Sequence, residues 1–166
     1  TYAGSTIGAA GTTITVTANT GIGVSDLIDN QNFIAGTRVA QIDGTTIYAD
    51  RNSTNGASAT SQVVRFLGPT TAYTSPASTK SILVGGTFAN NTSNSVNVTV
   101  ELLDSSVGVT STGSVAIASK IPVPAGSSFV ISDVGKTVLE SRDEIRVYCD
   151  TANAIDVSLS ILTGVS

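Results

Sequence analysis

The chain has 166 residues, a formal net charge of −4, one cysteine, and no histidine or tryptophan. Charged residues make up 12 %, about half the ~25 % usual for a soluble domain, and the eight Lys and Arg are scattered singly between Arg38 and Arg146. Such spacing excludes a stripe that could track a phosphate backbone. The absence of His excludes Ser-His-Asp and Cys-His nucleophiles and imidazole metal sites.

Apolar residues reach 40 %, enough for a proper core. Ser and Thr make up roughly a quarter of the chain, and their hydroxyls stand where charges usually do. A neutral, hydroxyl-rich surface loses less on desolvation than a charged one and suits packing against other proteins. With a single cysteine no intrachain disulfide can form. No run approaches the ~18 apolar residues of a membrane helix, and no basic start followed by an apolar run marks a signal peptide. The chain starts at Thr1 and contains no Met. Removal of an initiator Met before a small residue would account for both facts, as would cleavage from a longer precursor.

In chain order, Thr1 to Gly11 is polar and Gly-rich, and is expected to be a frayed terminus or an arm that completes a neighbour's sheet. Thr13-Ile14-Thr15-Val16-Thr17 alternates, placing Ile14 and Val16 on one face. Val24 to Asn30 could hold a helical turn. Thr37 to Asp43 and Thr45 to Asp50 read as two strands joined through Asp43-Gly44, since that pair tolerates the positive φ of a tight turn. Asn52 to Thr60 reads as a loop and Gln62 to Leu67 as a strand. Gly68-Pro69-Thr70-Thr71 is the best boundary, dividing a small β module, 1–68, from a larger one, 72–166.

Beyond it, Lys80 to Ala89 is apolar, and Gly85-Gly86 within it predicts a bulge or a close backbone approach. Asn90 to Asn94 is a turn. Val96, Val98, Val100 and Leu102 alternate against Asn97, Thr99 and Glu101, the pattern of a half-buried strand. After a Ser/Thr/Gly loop come Val115 to Val123, the turn Pro124-Ala125-Gly126 and Ser128 to Val134. Lys136 to Ser141 could hold a second helical turn. Glu144 to Asp150 and Ile155 to Leu162 complete the set, with Val157, Leu159 and Ile161 expected to face inward. Cys149 should share a face with Ile145 and Val147 as a small buried hydrophobe. About six strands separated by regular turns predict an all-β fold, an antiparallel β-sandwich or jelly-roll-like domain preceded by the smaller module.

Three patterns imitate chemistry. Gly135-Lys136-Thr137 looks like the end of a phosphate loop, but position 130 is Val where that motif needs Gly, so a plain turn is expected. Glu140, Asp143 and Glu144 could touch Ca²⁺, yet no alternating ligand loop surrounds them; a solvated turn carrying Arg142 is expected. Asn52, Asn90, Asn91 and Asn97 head N-x-Ser/Thr triplets, which a chain so rich in hydroxyls produces by chance. Arg146 and Tyr148, the one basic and aromatic pair, should alternate on a single strand. With few aromatics and isolated carboxylates, neither glycosidase chemistry nor sugar stacking is supported. No catalytic residue, cofactor or metal site is expected, and the chain is read as not an enzyme.

The order Thr71-Ala72-Tyr73-Thr74-Ser75-Pro76-Ala77-Ser78-Thr79, then Ser81-Ile82-Leu83-Val84, Asn90-Asn91-Thr92-Ser93, Val96 to Leu102, Ile121-Pro122-Val123-Pro124-Ala125-Gly126-Ser127-Ser128 and Val138 to Val147 resembles β-sandwich virion structural proteins of tailed phages, notably phages of aquatic bacteria. A "PVPAG" turn and an "L-E-x-G-D-x-I-x-V" start to a strand recur in that family. Here Ser141-Arg142 replaces the family's Gly, which implies a wider turn. Ile34-Ala35-Gly36-Thr37-Arg38-Val39 and Ile42-Asp43-Gly44-Thr45-Thr46-Ile47 resemble short modules of phage tail and fibre proteins. The resemblance implies a virion part made in the host cytoplasm: a capsid decoration or cement protein, or else a tail, neck or fibre component. Its partners would be the major capsid protein or other virion proteins and its own copies, a homo-oligomer taken as a trimer, with neither nucleic acid nor membrane. Outside that family, the alternatives are a cell-surface glycan-binding module, which the scarcity of aromatics weakens, and an extracellular filament subunit.

Overall fold

A computed structural model describes residues 1–107 and 113–165, with the backbone alone for 133–136. The chain is all-β and antiparallel, with thirteen strands and no helix among the described residues. It divides into two compact units, Thr1–Pro69 and Thr70–Ser166.

The first unit is one six-stranded sheet built from β1 (Tyr2–Ile7), β2 (Thr13–Thr15), β3 (Leu27–Asp29), β4 (Val39–Asp43), β5 (Thr46–Ala49) and β6 (Ala59–Leu67), in the order β3-β6-β1-β2-β5-β4. The two ends of that order meet through an isolated bridge between Leu27 and Arg38. Backbone bonds flank it, from Ser25 N–H to Val39 O at 2.8 Å and from Val39 N–H to Asp26 O at 2.9 Å. The sheet is therefore nearly closed, around Ile7, Ile14, Val16, Ile28, Phe33, Val39, Ile47 and Val64. Alternation explains the core side: Ile14 and Val16 point in, while Thr15 and Thr17 face water. The β4–β5 loop is Gly44-Thr45, closed by the Asp43–Thr46 pair. Gly44 has φ +56° and Thr45 has no positive φ, the pattern of a II′ turn, which favours Gly at its first central position.

The second unit holds two sheets. Strands β7 (Thr70–Thr74), β9 (Val96–Leu103), β10 (Ser114–Val123) and β12 (Glu144–Cys149) form one, in the order β10-β9-β12-β7. Strands β8 (Lys80–Asn90), β11 (Ser128–Leu139) and β13 (Ile155–Val165) form the other, in the order β11-β8-β13. Val96, Val98, Val100, Ile145 and Val147 from the first meet Leu83, Phe88, Ile131 and Leu139 from the second in one core, the packing of a β-sandwich. Phe88 and Phe129 stack there with centroids 5.8 Å apart.

Gly85-Gly86 provides both expected features. The β8–β13 register runs Gly85↔Ser160, then Leu83↔Ile161, which leaves Val84 as a bulged extra residue. A Cβ on Gly85 would lie 2.9 Å from the Ile131 carbonyl oxygen, too close for any side chain to stand there unmoved.

Several expectations need correction. Thr1 to Gly11 is no free arm: β1 lies between β6 and β2, with Ser5 and Ile7 fully buried. Alternation is hidden there because Ser5 takes an inward position and the register shifts between Tyr2 and Ser5 and between Ser5 and Ile7. Val24 to Asn30 contains β3 rather than a helical turn, since one turn cannot nucleate alone and Arg65–Leu67 supply ladder partners. Lys136 to Ser141 likewise begins in β11, where Thr137, Val138 and Leu139 pair with β8. Thr99 and Glu101 are buried, so β9 is covered on both faces rather than half-buried. Val157 points to the core side but remains 38 % exposed because β13 ends its sheet.

Candidate functional site: the outer face of the three-stranded sheet

The face of β11-β8-β13 turned away from its own core can be read rung by rung from the register. Ser128–Ala89–Asp156 begins it, followed by Val130–Thr87–Ser158 and Ser132–Gly85–Ser160. Bulged Val84 comes next, then Val138–Ile82–Leu162. Val84 is 54 % exposed, Val130 53 %, Val138 48 % and Leu162 56 %. Half the large exposed apolar side chains among the described residues thus fall on these three strands once Val157 at the edge is counted. They are interleaved with serines and a threonine; among the described residues the flanking charges are Asp156 at one end and the Lys80–Glu140 ion pair (3.0 Å) at the other.

The sequence carried a signal for this face. Ile82-Leu83-Val84 and Ile161-Leu162 are consecutive apolar residues, and in a strand consecutive side chains point to opposite faces. A run of that kind is apolar on both sides. Alternation marks the buried face and hides the second one.

The patterns that imitated chemistry do not assemble. Glu140, Asp143 and Glu144 diverge: Glu140 pairs with Lys80, and Glu144 accepts from Arg146 Nε at 2.8 Å and the Thr71 hydroxyl at 3.1 Å. Asp143 is buried and accepts backbone N–H bonds from Ser105 at 3.0 Å and Glu140 at 2.9 Å. The segment is thus a tied turn rather than a solvated one. A bond from Asp143 N–H to Glu140 O at 3.2 Å closes it tightly, not widely, and Arg142 stands in the left-handed region at φ +68°. Gly135-Lys136-Thr137 belongs to β11, so no turn lies there and no loop runs into a helix N-terminus. Among the described residues no three His, Cys, Asp or Glu side chains gather as metal ligands.

Asn90 is a structural pin. Its amide donates to the carbonyls of Asn94 (2.7 Å), Val123 (2.9 Å) and Pro124 (3.1 Å), while its oxygen accepts from Thr92 N–H at 2.9 Å. Asn97 bonds Asp150. Arg146 and Tyr148 do alternate along β12, but Tyr148 is buried and offers no stacking platform. Cys149 packs half-buried beside the core that contains Ile145 and Val147, and burial pushes its thiol above the ordinary range. It is held as an inert thiol near neutral pH.

One open depression of about 340 Å³ lies beside Lys80, Glu140 and Gly164. Its open shape and the ion pair at its wall make it a poor small-molecule site. No helix among the described residues is long and apolar enough to cross a membrane. No family model matches the chain, and no curated protein or solved structure matches it significantly.

Proposed function

We propose that this chain is a structural protein of a bacteriophage virion, acting as a capsid decoration protein that reinforces the shell by packing against the major capsid protein. One observation carries the reading: the apolar and hydroxyl-bearing face of β11-β8-β13, with Val84, Val130, Val138 and Leu162 about half exposed. Covering such a face removes apolar area from water at ~25 cal/mol per Å², and its serines, which can exchange water for partner hydrogen bonds, cost less to cover than charges would. A chain with 12 % charged residues has few ion pairs with which to recognise a partner by other means. The sequence resemblance to tailed-phage virion proteins supports the same role.

The test is quantitative mass spectrometry of purified particles. Hundreds of copies per particle are expected of a decoration protein; six to a few dozen would move the chain to the tail, and none would end the reading. Binding to undecorated particles should survive 1 M NaCl, because salt shortens the Debye length to ~3 Å without weakening apolar burial. Val138→Lys or Leu162→Lys should abolish binding while the melting temperature holds, since both positions are exposed in the free chain.

A further inference from the structure

Antiparallel sheets that end in an unpaired strand expose a row of N–H and C=O groups, and proteins commonly guard such edges with short strands, bulges, prolines or lysines. Each edge of the second unit can be checked against that list. β7 has five residues and a register shift between Thr71 and Tyr73. β10 has two register shifts, Lys120 at φ +50° and Pro122. β11 shifts register between Ser132 and Thr137. The first unit nearly closes its sheet through the Leu27–Arg38 bridge. β13 has none of these protections from Ile155 to Thr163: that stretch contains no Pro and no Lys, and Asp156 is its only charge. The shift at Ser160/Ile161 comes from Val84, an extra residue on β8, so β13 itself runs regularly until the bulge at Gly164, φ +74°.

The same strand leaves its core-side row incompletely covered. Val157 is 38 % exposed, and Leu159 and Ile161 are only half-buried although both touch the core. Another strand laid against this edge would continue the ladder and extend cover over that row.

We propose that β13 pairs with β13 of a second copy of this chain, antiparallel about a two-fold axis through Leu159, giving a continuous six-stranded sheet β11-β8-β13-β13-β8-β11. The sequence of the strand is complementary to itself in that register. Leu159 meets the partner's Leu159, and Val157 meets the partner's Ile161, so the core-side row is apolar against apolar. On the other face Ser158 meets the partner's Ser160, and Asp156 meets the partner's Leu162. No like charges stand opposite one another, which would destabilise the pair. A foreign strand would have to match the apolar row without these constraints; the second copy satisfies all of them. The proposal concerns the isolated chain and does not depend on a role in a virion.

Sedimentation and light scattering of the purified 16.7 kDa chain across a hundred-fold concentration range test it. A monomer–dimer equilibrium is expected, with Val157→Lys monomeric throughout. That variant places a charge on the core side of the pair, opposite the partner's Ile161, while the free chain can still turn it to water. Val115→Lys, exposed on β10 of the other sheet, should dimerise as the unaltered chain does. A chain that stays monomeric at the highest concentration overturns the proposal, and so does a Val157→Lys dimer. Should Val157→Lys fail to fold, hydrogen exchange on the unaltered chain decides instead. Amide protection in Ile155–Thr163 should rise with concentration while that of β10 stays constant; rising protection at β10 instead, or no change, overturns the pairing.

Discussion

In Thr1–Pro69 the last strand of the sheet meets the first through the Leu27–Arg38 bridge, whereas in Thr70–Ser166 four strands, β7, β10, β11 and β13, each end a sheet. The first arrangement uses its backbone donors and acceptors internally and encloses a small core of Ile and Val. The second covers its core from two sides with a larger apolar set and leaves apolar side chains on the outer face of one sheet. Small domains bury a smaller fraction of their surface, so a unit of this size gains most by closing its sheet. The larger unit has a bigger core and keeps a face and an edge open. Closure and openness are thus two uses of the same antiparallel ladder.

The sharpest way to break this comparison is to damage one core and watch the other. Phe88→Ala should cost ~3–5 kcal/mol, since Phe88 is fully buried and stacked on Phe129. Hydrogen exchange should then speed up across β8, β11 and β13 while Ile7, Ile14 and Ile47 keep their protection. Simultaneous loss in both units would show that they fold as one. A smaller effect is expected where backbone passes close to backbone. Gly85→Ala should cost ~1–3 kcal/mol, because the new Cβ would meet the Ile131 carbonyl and the strands would have to part; urea denaturation would measure it.

Turn substitutions sharpen the contrast further. Arg142 at φ +68° holds a conformation that costs a non-Gly residue ~1–2 kcal/mol. Arg142→Gly should therefore stabilise the second unit by about 1 kcal/mol, measured as a higher melting temperature. Gly44→Ala should do the reverse in the first unit, where open space surrounds the position but φ is +56°.

Much of this was legible in the residues and some was not. The all-β class, the β4–β5 hairpin and the inward rows of β2 and β9 follow from period-two alternation and one Asp-Gly pair. β1 and β3 escaped notice for different reasons. β1 has Ser5 at an inward position, and the register shift between Tyr2 and Ser5 breaks its alternation. β3 is three residues long, below the length at which any period can be seen, and it exists because Arg65–Leu67 lie beside it. The turn at Arg142 departs from the expected wide, solvated one because its geometry is imposed by Asp143, whose carboxylate organises Glu140 and Ser105 from a buried position. Burial of a single carboxylate leaves no mark in a sequence. The outer face was legible in principle, in the consecutive apolar residues of β8 and β13.

The smallest expected effect concerns pH. Burial pushes the Asp26 carboxyl above its ordinary value of 3.8, opposed by the bond from Gly23 N–H at 2.9 Å. The folded protein therefore keeps this proton to higher pH than the unfolded chain. The stability it contributes is full below the ordinary value and is lost as pH rises through the raised one. Asp26→Asn should shift the melting temperature of the first unit in favour of the variant as pH goes from 3.5 to 7. A pH-independent difference would mean that Asp26 does not feel its burial.

The path of the chain through the first unit also fixes how that unit bears tension. Tyr2 pairs with Val64, and β6 ends shortly afterwards at Leu67, so the chain enters and leaves at the same end of the β1–β6 pair. A pull between Thr1 and Pro69 peels these strands apart from that end, loading the hydrogen bonds singly and in succession rather than all together in shear. Such a geometry yields at low force whatever its thermal stability. The unit is mechanically compliant along the chain, and a load-bearing role for it would have to run sideways, through its surface.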